Sequence, residues 1–113
     1  MTACNFETLG EALYQLRQSY PAETECLVYF KADWCPDCDR ATPGVLSTSA
    51  GHEQRLLVVD VGPKPGWRST EPNLHPLKDD AGPWKIKVLP TLCAIPSWAV
   101  GRHVARIDKV VPS

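Results

Sequence analysis

The sequence predicts an α/β domain: a mixed sheet of parallel and antiparallel strands with helices on both faces. Three observations predict it. A helical period opens the chain, two short apolar runs flank a second helical segment, and extended segments close the chain after a proline-rich stretch. With 113 residues, 43% of them hydrophobic, the chain can bury one core but not two, so residues 1–113 are read as one domain.

Phe6, Leu9, Leu13, Leu16 and Tyr20 recur at steps of three and four, which predicts an amphipathic helix with Asn5 as its N-cap and Pro21 as its stop. CLVYF, residues 26–30, lacks alternation and suits a strand buried on both faces. After Cys35, Pro36 fits a first helical position, where the N–H it lacks would have no partner. That helix is expected to run towards Ser49 and Gly51, with a kink at Pro43. RLLVVDV, residues 55–61, predicts a second buried strand.

Residues 62–83 carry Pro63, Pro65, Pro72, Pro76 and Pro83 and few apolar side chains, so a loop with at most a short helix near Leu77 is expected. IKVLPTLCAI resumes extended structure, with Pro90 at the entrance of a strand. A turn over 96–101 leads to HVARIDK, whose alternation predicts an antiparallel strand. A strand-helix-strand unit pairs in parallel and a short turn pairs antiparallel, so the sheet is mixed.

Composition excludes several function classes. The formal net charge is −1 and no Lys/Arg block occurs, so nucleic acid and anionic membrane surfaces are not expected partners. The N-terminus is polar and acidic where a secretory leader needs an apolar run, and no segment approaches the ~20 apolar residues of a membrane span. A cytoplasmic protein is expected. Five cysteines (Cys4, Cys26, Cys35, Cys38, Cys93) make an odd count without regular spacing, which argues against a disulfide framework.

Cys35 and Cys38 are the chemical centre of the sequence. A structural zinc needs four ligands and this pair supplies two; His52, His75 and His103 are scattered, and Cys93 has no neighbouring cysteine. A disulfide across two residues closes too small a loop to act as a staple. Exchange chemistry fits better. A helix N-terminus favours thiolate at Cys35, only the thiolate attacks a disulfide, and Cys38 one turn on can resolve the mixed disulfide. Cys35 is expected at an exposed helix start. Asp37 is the nearest carboxylate that could take the proton of Cys38, although its charge would oppose a Cys35 thiolate. Trp34 reads as docking surface, Cys4, Cys26 and Cys93 as buried apolar thiols, and Lys31 and Lys64 as solvated charges.

WCPDC, the helix proline Pro43 and VLPT at residues 88–91 resemble the thioredoxin superfamily. More narrowly, WCPDC with VGPKPGW at residues 61–67 resembles the Clot-like thioredoxin-related proteins, the thioredoxin domain-containing protein 17 family. The resemblance covers about residues 5–109 and implies a thioredoxin-like fold, in which Pro90 is cis and the Leu89 backbone pairs with substrate. Trp34, Pro36, Leu89, Pro90 and Thr91 then form the substrate-binding surface, beside the catalytic Cys35, Cys38 and Asp37. The family reduces disulfides with electrons from thioredoxin reductase, so the resemblance implies no bound cofactor and reducing equivalents from NADPH through that reductase. Implied substrates are disulfide-containing proteins or small disulfides.

This chain departs from the family pattern in three ways. Only Lys31, Ala32 and Asp33 separate Phe30 from Trp34, where Clot-like proteins carry an insertion. The stretch from Trp67 to Pro90 is longer than usual. The chain ends at Ser113 without the superfamily's closing C-terminal helix. A face left open by that helix is expected to be covered by residues 62–83 or by a second copy of the chain, the latter favoured. Tyr29 stands where ordinary thioredoxins have a buried Asp; Clot-like proteins also lack that Asp. Two rival readings stay open: a glutaredoxin-like enzyme using a low-molecular thiol, and a non-catalytic thioredoxin-fold adaptor.

Overall fold

The computed structural model describes residues 2–20, 25–48, 55–80, 84–96 and 105–109. Five strands form one sheet in the order β1-β3-β2-β4-β5. They are β1 (Thr2–Asn5), β2 (Glu25–Lys31), β3 (Leu56–Asp60), β4 (Thr91–Pro96) and β5 (Ala105–Lys109). β1 and β2 both run parallel to β3, and the β2/β4 and β4/β5 pairs are antiparallel, with an irregularity between Leu92 and Cys93. The mixed pairing is the one expected. The turn expected over 96–101 falls mostly outside the described residues, and the chain end after Lys109 lies wholly outside them.

The helices are α1 (Leu9–Ser19), α2 (Pro36–Thr48) and α3 (Lys64–Trp67), followed by a 3₁₀ turn at Pro76–Lys78. The 3₁₀ turn is the short helix expected near Leu77. α2 continues through Pro43.

Three expectations need correction at this level. The strand β1 was not foreseen: it is short, mostly exposed and carries no apolar run, so nothing in its pattern separates it from a loop. Thr8, not Asn5, is the α1 N-cap. Asn5 instead ends β1 and closes a tight exchange with Thr8, whose backbone N–H donates to Asn5 Oδ1 at 2.9 Å while the Asn5 N–H donates to Thr8 Oγ1 at 3.2 Å. α3 also went unforeseen; Pro65 and Gly66 in its four residues are poor helix formers.

Strand periodicity sorts the core into two layers. On one face Cys26, Val28 and Phe30 of β2 and Leu57 and Val59 of β3 meet Leu9, Leu13 and Leu16 of α1. Trp67, Leu77, Trp84 and Ile86 join this same cluster, and Trp84 meets Phe30 edge-on with ring centroids 5.0 Å apart. On the other face Tyr29, Leu56, Val58 and Leu92 pack with Val45 of α2. The long segment after β3 therefore covers the α1 face, not the α2 face. That overturns the expectation that it could replace a helix beside α2.

Candidate active site

β2, the central strand, delivers the chain to Trp34 and Cys35 at its C-terminal end, and α2 begins at the next residue. The Cys35 N–H donates to Ala32 O at 3.3 Å, and its carbonyl accepts from the Asp39 N–H at 3.2 Å, the first bond of the helix. Cys35 is thus the N-cap of α2. Its sulfur takes the part that a Ser or Asp oxygen plays in other caps: the Cys38 N–H donates to Cys35 Sγ at 3.2 Å. One N–H of the first helical turn is thus aimed at the Cys35 sulfur.

The two sulfurs are unequal. Cys35 is 6% exposed and Cys38 1%, so the exposed position expected for Cys35 is corrected: both cysteines are buried, Cys35 the less completely. Trp34 and the cap turn account for this, because a sulfur that receives a helix N–H lies against the helix rather than in solvent. Burial pushes the Cys38 thiol up to about 12, and its interactions with Cys35 push the same way. Cys38 holds its proton at neutral pH.

Behind Cys38 lies Tyr29, 1% exposed. Thr42 Oγ1 donates to Cys38 O at 2.7 Å, which leaves the Thr42 oxygen to accept from the Tyr29 hydroxyl at 3.1 Å. The phenol also stands 3.3 Å from Cys38 O. Burial, opposed by the Thr42 bond, raises the Tyr29 pKa, so Tyr29 is a neutral donor that anchors the first turn of α2. It does not act as the base that a carboxylate would be at this place. Asp37 is about half exposed and its carboxylate is held by Arg40, Oδ1 to Nη2, at 3.2 Å.

The remaining predicted residues come together at the same end of the sheet. Thr91 opposite Phe30 in the β2/β4 register sets the bend over 88–90 beside the strand that leads to Cys35. The Leu89–Pro90 peptide is cis. Leu89, Pro90 and Thr91 are buried, the Thr91 hydroxyl donates to Val88 O at 2.7 Å, and Val88 itself is 44% exposed. Trp34 is half-buried, and its Nε1–H donates to Gly62 O at 2.8 Å. Beside it Asp33, Asp60, Gly62 and Pro63 complete an open cleft of about 270 Å³. No three metal-binding side chains converge among the described residues.

A cap cysteine followed by Pro36, a second cysteine one turn on and a cis proline at the entrance of the neighbouring strand make up a thioredoxin-type arrangement. The family model for the thioredoxin domain of thioredoxin domain-containing protein 17-like proteins matches residues 17–102. The chain belongs to this family. Among its relatives is the thioredoxin-like protein Clot of Arabidopsis thaliana, 30% identical over 99 residues, covering 78% of this chain and 71% of that protein. In fold, the chain is similar to the crystal structure of chloroplastic thioredoxin z, with a TM-score of 0.57 at 20% identity across 99% of this chain and 83% of that one. The fold is thioredoxin-like, and family and fold together support a thiol–disulfide oxidoreductase type of role.

Two residues of this 17-like thioredoxin domain were not singled out from the sequence as functional. Gly62, which receives the Trp34 indole, sits inside the quoted VGPKPGW run but carries no side-chain signal. His75 is buried beneath the same loop and stands alone in the sequence.

Proposed function

We propose that the protein is a thiol–disulfide oxidoreductase that reduces protein or small disulfides with the Cys35–Cys38 pair. The supporting observation is the asymmetry of the two sulfurs: Cys35 receives a helix N–H, and Cys38 is buried with its pKa raised to about 12. Cys35 thiolate attacks one sulfur of the substrate disulfide. The substrate S–S bond breaks, and the departing sulfur takes a proton. Cys38 then gives up its proton and attacks Cys35 Sγ, releasing the second substrate sulfur as a thiol and leaving a Cys35–Cys38 disulfide. Two electrons have moved to the substrate, and a dithiol donor restores the pair.

Trp34, Pro36 and the Leu89–Pro90–Thr91 bend form the surface against which the substrate lies, with the Leu89 backbone free to pair with it. Asp37 is the nearest carboxylate in the motif for the Cys38 proton. Thioredoxin reductase, drawing on NADPH, is the donor that the family relationship favours, in a reducing compartment such as the cytosol.

The test is reduction of insulin and of cystine, coupled to thioredoxin reductase and NADPH or, in parallel, to glutathione and glutathione reductase. Turnover with the first couple, lost in Cys35→Ser, is expected. Turnover only with the second would make the protein glutaredoxin-like, and none with either would make it a non-catalytic adaptor. Cys38→Ser is expected to hold a stable mixed disulfide that Cys35→Ser cannot form. Asp37→Asn should slow turnover and move its pH profile; an unmoved profile would leave Asp37 with its Arg40 pair alone.

A further inference from the structure

We propose that His75 is a positioning residue for Trp34, acting through the peptide between Val61 and Gly62, and so sets how well a protein disulfide docks beside Cys35. This rests on the reading of Trp34 as docking surface given above.

The connection is a chain of hydrogen bonds. His75 is 4% exposed, and its Nδ1 accepts the Leu77 N–H at 3.1 Å. The proton of the neutral ring is therefore on Nε2, which donates to Val61 O at 2.8 Å. The N–H of that same peptide, on Gly62, donates to Asp60 Oδ1 at 2.8 Å. One peptide plane is thus gripped at both edges, by an imidazole at its carbonyl and a carboxylate at its N–H. Gly62 then turns with φ +93°, and its own carbonyl receives the Trp34 Nε1–H at 2.8 Å.

The grip is rigid because the imidazole has no room to rotate. Phe6 lies against one side with ring centroids 4.5 Å apart and Trp67 against another at 5.0 Å. The Val61 N–H is fixed as well, donating to Lys31 O at 3.0 Å. The backbone polar groups of Val61 and Gly62 at the strand exit each have a named partner, and His75 is the one that the long loop after β3 supplies. An indole held by its Nε1–H keeps its ring face at the cleft mouth, where a substrate chain would lie. Without that bond the ring can turn about its two side-chain torsions, and ordering it again on docking weakens binding rather than chemistry.

The two nitrogens can be separated by substitution. His75→Asn retains a short acceptor for the Leu77 N–H but cannot reach Val61, whereas His75→Gln carries an amide N–H out to the Nε2 position. The experiment follows the four tryptophan indole N–H resonances in ¹⁵N-labelled protein, with Trp34→Phe assigning the Trp34 signal, and measures insulin reduction in parallel. His75→Asn is expected to displace or broaden the Trp34 resonance and to raise the insulin KM about two- to tenfold, the range of one hydrogen bond, with the loss carried by KM rather than kcat. His75→Gln is expected to return both towards wild type. An unmoved Trp34 resonance in folded His75→Asn overturns the proposal. If His75→Asn does not fold, a displaced Trp34 resonance in His75→Gln overturns it equally, and a wild-type one supports it. The resonance needs no turnover, so absence of insulin reduction in every variant would defeat the reductase reading and leave the His75 assignment to be decided on its own signal.

Discussion

At the scale of residues, the fold makes two identical side chains different. Cys35 faces the helix N-terminus with its sulfur capped, and Cys38 faces the interior, one turn on, under the Tyr29–Thr42 anchor. The expected consequence is selective alkylation. Iodoacetamide near neutral pH should modify Cys35 before the other four cysteines, the partly exposed Cys4 included, with mass spectrometry of digests reading the order. Labelling of Cys26 or Cys93 at the rate of Cys35 would contradict the assignment. The placing of the pair at a helix start was legible in the sequence because Pro36 suits a first helical position. The burial of Cys35 was not, since it depends on the sulfur turning back along the helix to meet a particular N–H. Tyr29 was legible as a substitute for an acid, but its role as an anchor needed Thr42, which no spacing rule connects to it.

At the scale of elements, the loop after β3 was the least legible part of the chain, and it carries the support of the site. Proline density announced a loop, but the folding of that loop onto α1 depends on Trp67, Leu77, Trp84 and Ile86, whose spacing has no period. The hinge between β3 and this loop is Gly62. A side chain there would need a φ of +93°, and its Cβ would stand 3.2 Å from Phe6 Cε1. Gly62→Ala is accordingly expected to lower stability by about 1 to 2 kcal/mol, visible as a lower urea midpoint; an unchanged midpoint would mean that the turn relaxes freely. His75 adds a pH dependence to the same loop. Its pKa is lowered from the ordinary 6.5 by burial, with the charge of Lys78 acting in the same direction and the Val61 bond opposing. The folded state then binds fewer protons than the unfolded state as pH drops below the ordinary value. The stabilising contribution is present above about 6.5 and is lost as pH falls through the lowered folded-state value. Resistance to urea should weaken as pH falls from 7 towards 5.5, a window above the ordinary carboxylate range, and His75→Gln should flatten that decline. An equal decline in the variant would remove His75 as its cause.

At the scale of the molecule, the parallel β2–β3 unit and the antiparallel closing hairpin were legible because a strand-helix-strand unit and a short turn leave little freedom, whereas the place of β1 beside β3 was not. The distribution of cover over the two faces was not. Apolar residues without a period do not say which face they will find, and here the segment between β3 and β4 completed the α1 face while α2 alone supplies helical cover to the other among the described residues. That segment is therefore part of the core rather than a mobile flap. Trp84 is the residue on which this can be decided: it is 7% exposed and packs edge-on against Phe30, a core residue near the end of β2. Removing a buried Trp side chain costs about 3 to 5 kcal/mol, a large share of the roughly 5 to 15 kcal/mol that keeps a domain of this size folded. If the segment is core, Trp84→Ala should lower the urea midpoint by a corresponding amount in a single transition, and α1 and the dithiol should lose protection together in hydrogen exchange. If it is a flap, the loss should fall below about 1 kcal/mol, as for surface changes generally, with exchange raised only between β3 and β4. The first outcome is expected, because Phe30, Trp84 and Cys35 belong to one cluster and the strand that carries Phe30 also leads into the turn that bears Cys35.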